Sequence, residues 1–372
     1  GSKPMTDTRR AGQAGIPIPS GNNGRGQHAP RLAIVGCGAI AEQYYLPALA
    51  RRPDVLANMI LVDRDAARAE FLASKFGVQR TDTDYREVIP HVDGAILAVP
   101  THLHHPIAMQ FLAEGIHVYS EKPLAENAIK AREMVELAEE RGLILAANYQ
   151  RRLFPPLVKV KELLDDGTLG ELRSIRYLVG ELFDWEAVTG FRFNQGTSSG
   201  GVLRDRGAHV MYVLSWWLGG KPALVSSQND SFGGPEAVAD VHFQHKSCSG
   251  EVKLSWLSKF TPRFEVVGDK ARVEGGIYDT DSVLLTTSGG QKKRLKLPPT
   301  PRTYLEIAYG MVGNFIDAIE GSARPLVSGR DALPSIEFID DCYRAATRFD
   351  MPWYEVLETP ATVPALEVTH GR

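Results

Sequence analysis

A glycine-rich turn between a short apolar strand and a helix restricts the fold of this chain more than any other feature. Leu32 to Val35 (Leu-Ala-Ile-Val) predicts a buried strand, and Gly36 to Ala41 (Gly-Cys-Gly-Ala-Ile-Ala) follows it directly. This pattern joins the first strand and helix of a dinucleotide-binding unit. Gly36 permits the tight turn, Gly38 lets the backbone approach a pyrophosphate, and Ala41 allows the helix to pack closely.

An acidic residue ends the second apolar run, Met59 to Val62. Asp63 lies roughly 20 residues beyond the glycine pattern, where a carboxylate accepts hydrogen bonds from the adenosine ribose of a dinucleotide. Strand, loop, helix, strand and acid in this order favour a dinucleotide site over a plain turn. Because Asp63 repels a 2′-phosphate, the sequence predicts NAD, but the adjacent Arg64 can reach such a phosphate and leaves NADP open.

Short apolar runs alternate with longer amphipathic ones through the rest of the first half, which predicts a parallel sheet with helices packed on it. The further predicted strands are Ala95 to Val99, Val118 to Ser120 and Ile144 to Asn148. The clearest helix is Glu126 to Arg141, with Ile129 and Met134 on its predicted apolar face. The fold class is therefore α/β, with a Rossmann dinucleotide-binding domain over residues 31–150.

The pattern changes after Arg151 to alternation typical of half-buried antiparallel strands. The predicted strands are Leu172 to Phe183, Val238 to Phe243, Glu251 to Leu257, Arg263 to Val267 and Val283 to Thr287. The predicted helices are Leu157 to Leu164, Val202 to Leu218, Tyr304 to Glu320 and Asp331 to Arg348. The sequence thus predicts a second, α+β domain over residues 151–355. We expect residues 1–30 to be disordered or tag-like and residues 356–372 to form a tail.

Two polar segments follow strands of the predicted parallel sheet. Pro100-Thr101-His102-Leu103-His104 comes after one strand, and Glu121-Lys122-Pro123 comes after the next. Both lie at the carboxyl edge, where open α/β sheets bind their ligands. An ammonium group beside a nicotinamide ring can donate a hydrogen bond to the substrate oxygen that gains or loses carbonyl character. Lys122 is therefore the first candidate for a catalytic residue.

The glycine loop together with Glu121-Lys122-Pro123 resembles the glucose-fructose oxidoreductase, inositol dehydrogenase and MocA (GFO/IDH/MocA) family. Pro100 to His104 resembles the family's loop over the nicotinamide, and Gly200 to His209 resembles its second-domain substrate segment, in which an Asp and a His four residues later face the cofactor. The resemblance covers about residues 31–350. It implies a Rossmann domain followed by a domain with a large open, mostly antiparallel sheet, and NAD(P)-dependent oxidation or reduction of a sugar, cyclitol or nucleotide-sugar-like substrate.

Asp205 and His209 are the second-domain candidates. Positions i and i+4 lie on one face of a helix, so both side chains can project into one cleft. His209 is the natural general base for alcohol oxidation because the ordinary pKa of histidine is near 6.5. In this interpretation Asp205 positions the substrate and His209, while Lys122 polarises the reacting oxygen.

The candidate residues fall into three groups. The catalytic candidates are Lys122, Asp205 and His209. The cofactor-binding candidates are Gly36, Gly38, Ala39, Ile40, Asp63, Arg64, Pro100, Thr101, His102, His104, Glu121 and Lys122. The substrate-binding candidates are Lys122, Tyr149, Arg192, Asp205 and His209.

Composition excludes several other classes. A net charge of −3 gives no broad positive field for nucleic acid, and no run reaches the roughly 18 to 20 apolar residues that span a membrane. The three cysteines are far apart, which fits a reducing cytoplasm and no structural zinc. His102, His104 and His105 lack a further ligand set, so we predict no metal.

The family resemblance leaves two alternative functions open. Some relatives recycle NAD in place during elimination or glycoside cleavage, so the chain could be a lyase or glycosidase. The same fold can also serve as a non-catalytic, cofactor-sensing regulatory protein. The family's open sheet commonly packs against another subunit, and we therefore expect a homodimer or a homotetramer.

Overall fold

The computed structural model describes residues 29–182, 200–231 and 233–350. Two β-sheets carry the fold, one with six strands and one with nine. The predicted Arg192, the segment 1–30 except its last two residues, and the tail 356–372 lie outside the described residues.

The first sheet is parallel throughout, in the order β3-β2-β1-β4-β5-β6. Its strands are β1 Leu32–Val35, β2 Ile60–Val62, β3 Arg80–Asp82, β4 Gly94–Leu97, β5 His117–Ser120 and β6 Leu145–Ala147. This order is that of a Rossmann fold, so the predicted α/β class is confirmed. The strand order reverses between β1 and β4, which opens a crevice at their carboxyl ends.

The helices of this half surround the sheet. They are α1 (a π-helical turn Ala41–Tyr45 continued by Leu46–Leu49), α2 Pro53–Leu56, α3 Ala66–Phe76, α4 Tyr85–Val88, α5 His104–Ala113 and α6 Ala128–Glu140. The side chain of Asn127 caps α6 by accepting from the backbone N–H of Lys130. The prediction that Ile129 is buried is wrong, since it is 68% exposed. It lies about 140° around the helix from Met134, which is buried.

The second sheet is mostly antiparallel, in the order β14-β13-β12-β11-β7-β10-β9-β8-β15. Only the pairs β7–β10 and β8–β15 are parallel among its described pairings. Its strands are β7 Leu172–Gly180, β8 Ala223–Asn229, β9 Val238–His245, β10 Cys248–Ser255, β11 Phe260–Gly268, β12 Ala271–Gly276, β13 Ser282–Thr287, β14 Lys292–Lys296 and β15 Thr347–Arg348. The large, mostly antiparallel sheet implied by the family resemblance is confirmed.

Helices of the second half bind the two sheets together. They are α7 Pro155–Asp165, α8 Val202–Leu218, α9 Tyr304–Ile319 and α10 Gly329–Arg344. Helix α9 packs back on the first sheet, where the ring of Phe315 lies 5.3 Å from that of Tyr119. The predicted extension of α10 to Arg348 is wrong, because Thr347 and Arg348 pair with β8 as a short strand instead.

Within the described ranges, no helix has the length and apolar character that crossing a bilayer demands.

Candidate active site

The glycine loop after β1 has the geometry that its two glycines require. Gly36 has a φ of +99°, and a Cβ built on it would lie 2.4 Å from the Ala98 carbonyl oxygen, so a side chain cannot be accommodated. Gly38 is exposed, and a Cβ there would meet nothing within 4 Å. The loop leads into α1, so open space adjoins backbone N–H groups of the kind that bind phosphate.

Asp63 at the end of β2 braces this loop. Its Oδ2 accepts a hydrogen bond from Cys37 N at 2.8 Å, and its Oδ1 accepts one from Asp65 N at 2.9 Å. A carboxylate oxygen has two lone pairs, so each oxygen keeps the capacity to accept a ribose hydroxyl. The neighbouring Arg64 is exposed, which leaves its guanidinium accessible from solvent.

The segment after β4 turns through Thr101–Leu103 into α5, and His104 fastens it to the neighbouring loop. The His104 ring is 1% exposed, with Nδ1 2.8 Å from the Pro123 carbonyl and Nε2 2.8 Å from the Val99 carbonyl. Both ring nitrogens are therefore engaged by backbone. Nε2 of His105 instead lies 2.6 Å from Glu133. Pro100, Thr101 and His102 are half-buried at the carboxyl edge of the sheet.

Glu121, which follows β5, is held by a buried polar network. Its Oε1 accepts from Tyr45 Oη at 2.5 Å and from Asn148 Nδ2 at 2.7 Å. The Asn148 amide oxygen in turn accepts from the hydroxyls of Tyr44 at 3.1 Å and Tyr119 at 2.9 Å. The Glu121 carboxylate is thus held in one position, directly beside the backbone of Lys122.

Sequence reasoning missed Tyr45 and Asn148. Asn148 follows β6 at the carboxyl edge of the sheet, which was a usable signal. The π-helical turn Ala41–Tyr45 buries both Tyr44 and Tyr45, and the regular helical period gives no indication of such a turn.

Lys122 and Asp205 are brought together across the two sheets. Lys122 Nζ donates to Asp205 Oδ1 at 2.8 Å and to the Asp205 backbone oxygen at 3.0 Å. The two side chains are 15% and 19% exposed, so the pair is largely but not fully screened from water. The ammonium therefore lies at the edge of the cleft with its position fixed by the second domain.

His209 lies one turn beyond Asp205 on α8 and is 7% exposed. Burial lowers its pKa well below the usual range, and the positive charges of Lys122 and Arg151 lower the pKa further. Its Nδ1 has no hydrogen-bond partner in the described part of the chain. The imidazole is thus neutral at neutral pH and able to accept a proton.

Glu236 fixes the start of the helix that carries both residues. Its carboxylate accepts from Leu203 N at 2.8 Å, Gly201 N at 3.1 Å and Tyr343 Oη at 2.8 Å. Burial raises its pKa, although the Tyr343 hydroxyl and the backbone bonds lower it in part. The side chain satisfies N–H groups that the start of a helix otherwise leaves unpaired.

A Glu236→Gln variant is expected to lose about 1 to 3 kcal/mol in the free energy of unfolding, because the amide turns two donors toward groups that also donate. Urea denaturation measures this change. Glu140→Gln on the exposed end of α6 is the matched control and should leave stability unaltered. If the urea midpoint of Glu236→Gln equals that of the parent, the capping hydrogen bonds contribute no net stability.

Two substrate-binding candidates remain, Tyr149 and Arg192. Tyr149 is fully buried, with its ring centroid 4.7 Å from that of Tyr212. Arg192 belongs to the segment 183–199, outside the described residues, so its predicted role stays a prediction.

One further group of possible metal ligands lies on the outer face of the second sheet. The ligand atoms of Asp240, His242 and Glu251 lie within 4.8 Å of one another. Lys253 Nζ contacts Asp240 at 3.4 Å and Glu251 at 3.1 Å, and Arg176 also contacts Glu251. These cations already balance the carboxylates, so the cluster is an ion-pair network.

Family models match both halves of the chain. Residues 30–149 match the oxidoreductase family with an NAD-binding Rossmann fold, and residues 157–274 match the GFO/IDH/MocA C-terminal domain.

Named relatives agree with these matches. Trans-1,2-dihydrobenzene-1,2-diol dehydrogenase from Mus musculus is 34% identical over 203 residues, which span 54% of this chain and 60% of that protein. The 1,5-anhydro-D-fructose reductase from Ensifer adhaerens is 26% identical over 82% of this chain and 93% of its own length. The solved structure of a levoglucosan dehydrogenase with NADH and levoglucosan superposes with a TM-score of 0.76 at 17% identity, over 85% of this chain and 96% of that one. At that identity the superposition shows a shared fold.

Proposed function

Because this chain belongs to the GFO/IDH/MocA family of NAD-binding oxidoreductases, we propose that it transfers hydride between nicotinamide and a secondary alcohol or ketone of a sugar, cyclitol or nucleotide-sugar-like substrate. The observation that carries this proposal is the contact between Lys122 and Asp205, 2.8 Å long, at the carboxyl edge of the first sheet. An ammonium there is positioned for an oxygen whose charge changes during hydride transfer.

The glycine loop fits a dinucleotide. A Cβ at position 36 would clash with the Ala98 carbonyl, so the turn requires Gly36. Gly38 leaves the loop surface open to a pyrophosphate. The residues that would hold the cofactor are Gly36, Gly38, Ala39, Ile40, Asp63, Arg64, Pro100, Thr101, His102, His104, Glu121 and Lys122. When bound, the nicotinamide supplies the hydride acceptor or donor.

The side chains of the chain itself handle the proton and the charge. Lys122 donates a hydrogen bond to the reacting oxygen, and Asp205 keeps the ammonium in place. His209, neutral because its pKa is lowered, accepts the hydroxyl proton during oxidation and returns it during reduction. Each of these three groups thus has one task in a single proton and hydride exchange.

Two glycine variants separate folding from cofactor binding. Gly36→Ala is expected to lower the melting temperature, because a positive φ and a contact with Ala98 oppose the new methyl group. Gly38→Ala should fold normally and bind NADH about 10-fold or more weakly, because its methyl group occupies the pyrophosphate space. Thermal unfolding and NADH fluorescence titration measure the two effects. Normal NADH affinity in Gly38→Ala would rule out this loop as the phosphate site.

The experiment that tests the function is a screen of polyols, sugars and nucleotide sugars with NAD and with NADP, read as absorbance of the reduced nicotinamide. We expect turnover of at least one sugar-like alcohol, with NAD preferred because Asp63 opposes a 2′-phosphate. Product formed without net NADH would favour the lyase or glycosidase alternative. Binding of cofactor with no product from any compound would favour the regulatory alternative.

We also propose a homodimer or homotetramer in the cytoplasm. The three cysteines, Cys37, Cys248 and Cys342, are free and buried, which suits a reducing compartment. Light scattering coupled to size exclusion measures the mass of the assembly, and a monomer would contradict the proposed assembly.

A further inference from the structure

Two cations of helix α3 lie beside the glycine loop, and both are paired with one carboxylate. Arg68 and Lys75 are seven positions apart, so they lie within about 20° of each other on one face of the helix. Glu42, in the π-helical turn after the glycine loop, reaches both of them. Its Oε2 accepts from Arg68 Nη2 at 2.5 Å, and its Oε1 accepts from Lys75 Nζ at 2.7 Å. The bonds from Lys75 and then from Arg68 lower the pKa of Glu42, so this carboxylate is ionised at neutral pH.

Arg68 is also attached to the residue of the loop that Asp63 braces. Its Nε donates to the Cys37 carbonyl oxygen at 2.6 Å, and the N–H of Cys37 donates to Asp63 Oδ2 at 2.8 Å. The Arg68 guanidinium and the Asp63 carboxylate therefore flank the same loop residue. Asp63 is the predicted partner of the adenosine ribose hydroxyls, and NADP carries a phosphate on one of them. We therefore expect a 2′-phosphate of NADP to lie within reach of Arg68.

Charged side chains at the glycine loop, after β2 and on this face of α3 balance one another. Three are acidic and three are basic: Asp63, Asp65 and Glu42, and Arg64, Arg68 and Lys75. Their charges sum to zero, so a phosphate with a charge of about −2 meets no net positive charge there. Without the Glu42 carboxylate the sum is one positive charge. The side chains of Arg68 and Lys75 are 32% and 49% exposed, so both are accessible to a molecule from solvent.

We propose that Glu42 determines cofactor specificity: it keeps Arg68 and Lys75 engaged, withholds them from a 2′-phosphate, and thereby strengthens the preference for NAD over NADP. This inference rests on the proposed function, in which the glycine loop binds the dinucleotide, and it adds a second determinant to Asp63. Asp63 disfavours the phosphate by direct repulsion. Glu42 acts by occupying donors that form strong, charge-assisted hydrogen bonds with phosphate oxygens.

Fluorescence titration of Glu42→Gln with NADH and with NADPH tests this inference. NADPH is expected to bind about 10-fold more tightly than it binds the parent, because the two cations gain a phosphate partner. NADH affinity should stay within about 2-fold of the parent's, since its ribose carries no phosphate. The gain for NADPH should decrease as salt is added, because salt screens exposed charges. In the double variant Glu42→Gln/Arg68→Met, most of the gain should disappear.

Glu70→Gln is the matched control. It removes the same charge from α3, but Glu70 is exposed and lies two positions from Arg68, about 200° around the helix. The ratio of NADPH to NADH affinity should therefore equal that of the parent. A gain in Glu70→Gln as large as that in Glu42→Gln would reduce the effect to net charge and overturn the specific role of Glu42.

The outcomes distinguish this inference from the proposed function. An unchanged affinity ratio in Glu42→Gln, or a parent that already binds NADPH as tightly as NADH, would overturn the role of Glu42 even if a sugar is oxidised. A shifted ratio without turnover of any substrate would overturn the function and keep the role of Glu42. If the double variant fails to fold, Glu42→Gln/Lys75→Met takes its place, because Lys75 has no printed contact with Cys37, and part of the gain should be lost. A gain that survives in full would overturn the assignment of these cations to the phosphate.

Discussion

A Lys122→Met variant is expected to lose about 10²- to 10³-fold in kcat, because the donor to the reacting oxygen is removed while the side chain keeps its length. The cofactor should still bind, since the glycine loop and Asp63 lie on other strands. Steady-state kinetics with the best sugar substrate gives the loss in kcat, and NADH fluorescence gives the affinity.

Lys161→Met serves as the matched control for Lys122→Met. Lys161 pairs with Asp165 on the surface of α7, far in sequence from the cleft residues, and its loss should leave kcat unchanged. If Lys122→Met turns over substrate at the rate of the parent, Lys122 has no catalytic role and the regulatory alternative is strengthened.

A His209→Asn variant is expected to lose about 10²- to 10⁴-fold in the rate of alcohol oxidation, because the general base is absent. The pH profile of the parent gives a second measurement. Since the pKa of His209 is lowered well below 6.5, oxidation should remain level as the pH falls through 6.5 and decline only at lower pH. An inflection at or above 6.5 that disappears in His209→Asn would contradict the lowered pKa, and a His209→Asn protein that oxidises the alcohol as fast as the parent would contradict the role of general base.

The same shift has a consequence for stability. The pKa of His209 is lower in the folded protein than in the unfolded chain, so the unfolded chain takes up the proton first as the pH falls below about 6.5. Stability should therefore be unaffected above that pH and decrease below it. Burial lowers the pKa of His104 and His117 in the same direction. Replacing His209 alone should therefore reduce the loss of stability at low pH only in part.

Much of the fold could be predicted because its signals are local. The glycine loop, β1 and the bounds Val202–Leu218 of α8 follow from apolar periodicity and small residues. Strands β3, β8, β12 and β14 were not predicted. For β3 and β14 the reason is composition, since Arg-Thr-Asp and Lys-Lys-Arg-Leu-Lys have little apolar alternation. Both lie at sheet edges, where charged residues are common because they oppose further pairing.

The site was harder to predict because its contacts join distant parts of the chain. Lys122 and Asp205 are 83 residues apart, and the family resemblance, not periodicity, associated them. The cap from Glu236 reaches Leu203 over 33 residues, and no local pattern marks such a contact.

The most direct measurement of the proposed chemistry uses NADH in which both hydrogens at ring carbon C4 are replaced by deuterium, incubated with a panel of keto sugars and keto acids. Mass spectrometry and NMR of the products locate the label. We expect one deuterium on a secondary carbinol carbon of the product, with far less in Lys122→Met over the same time. Product that lacks the label, or label found only in water, would contradict hydride transfer at this site.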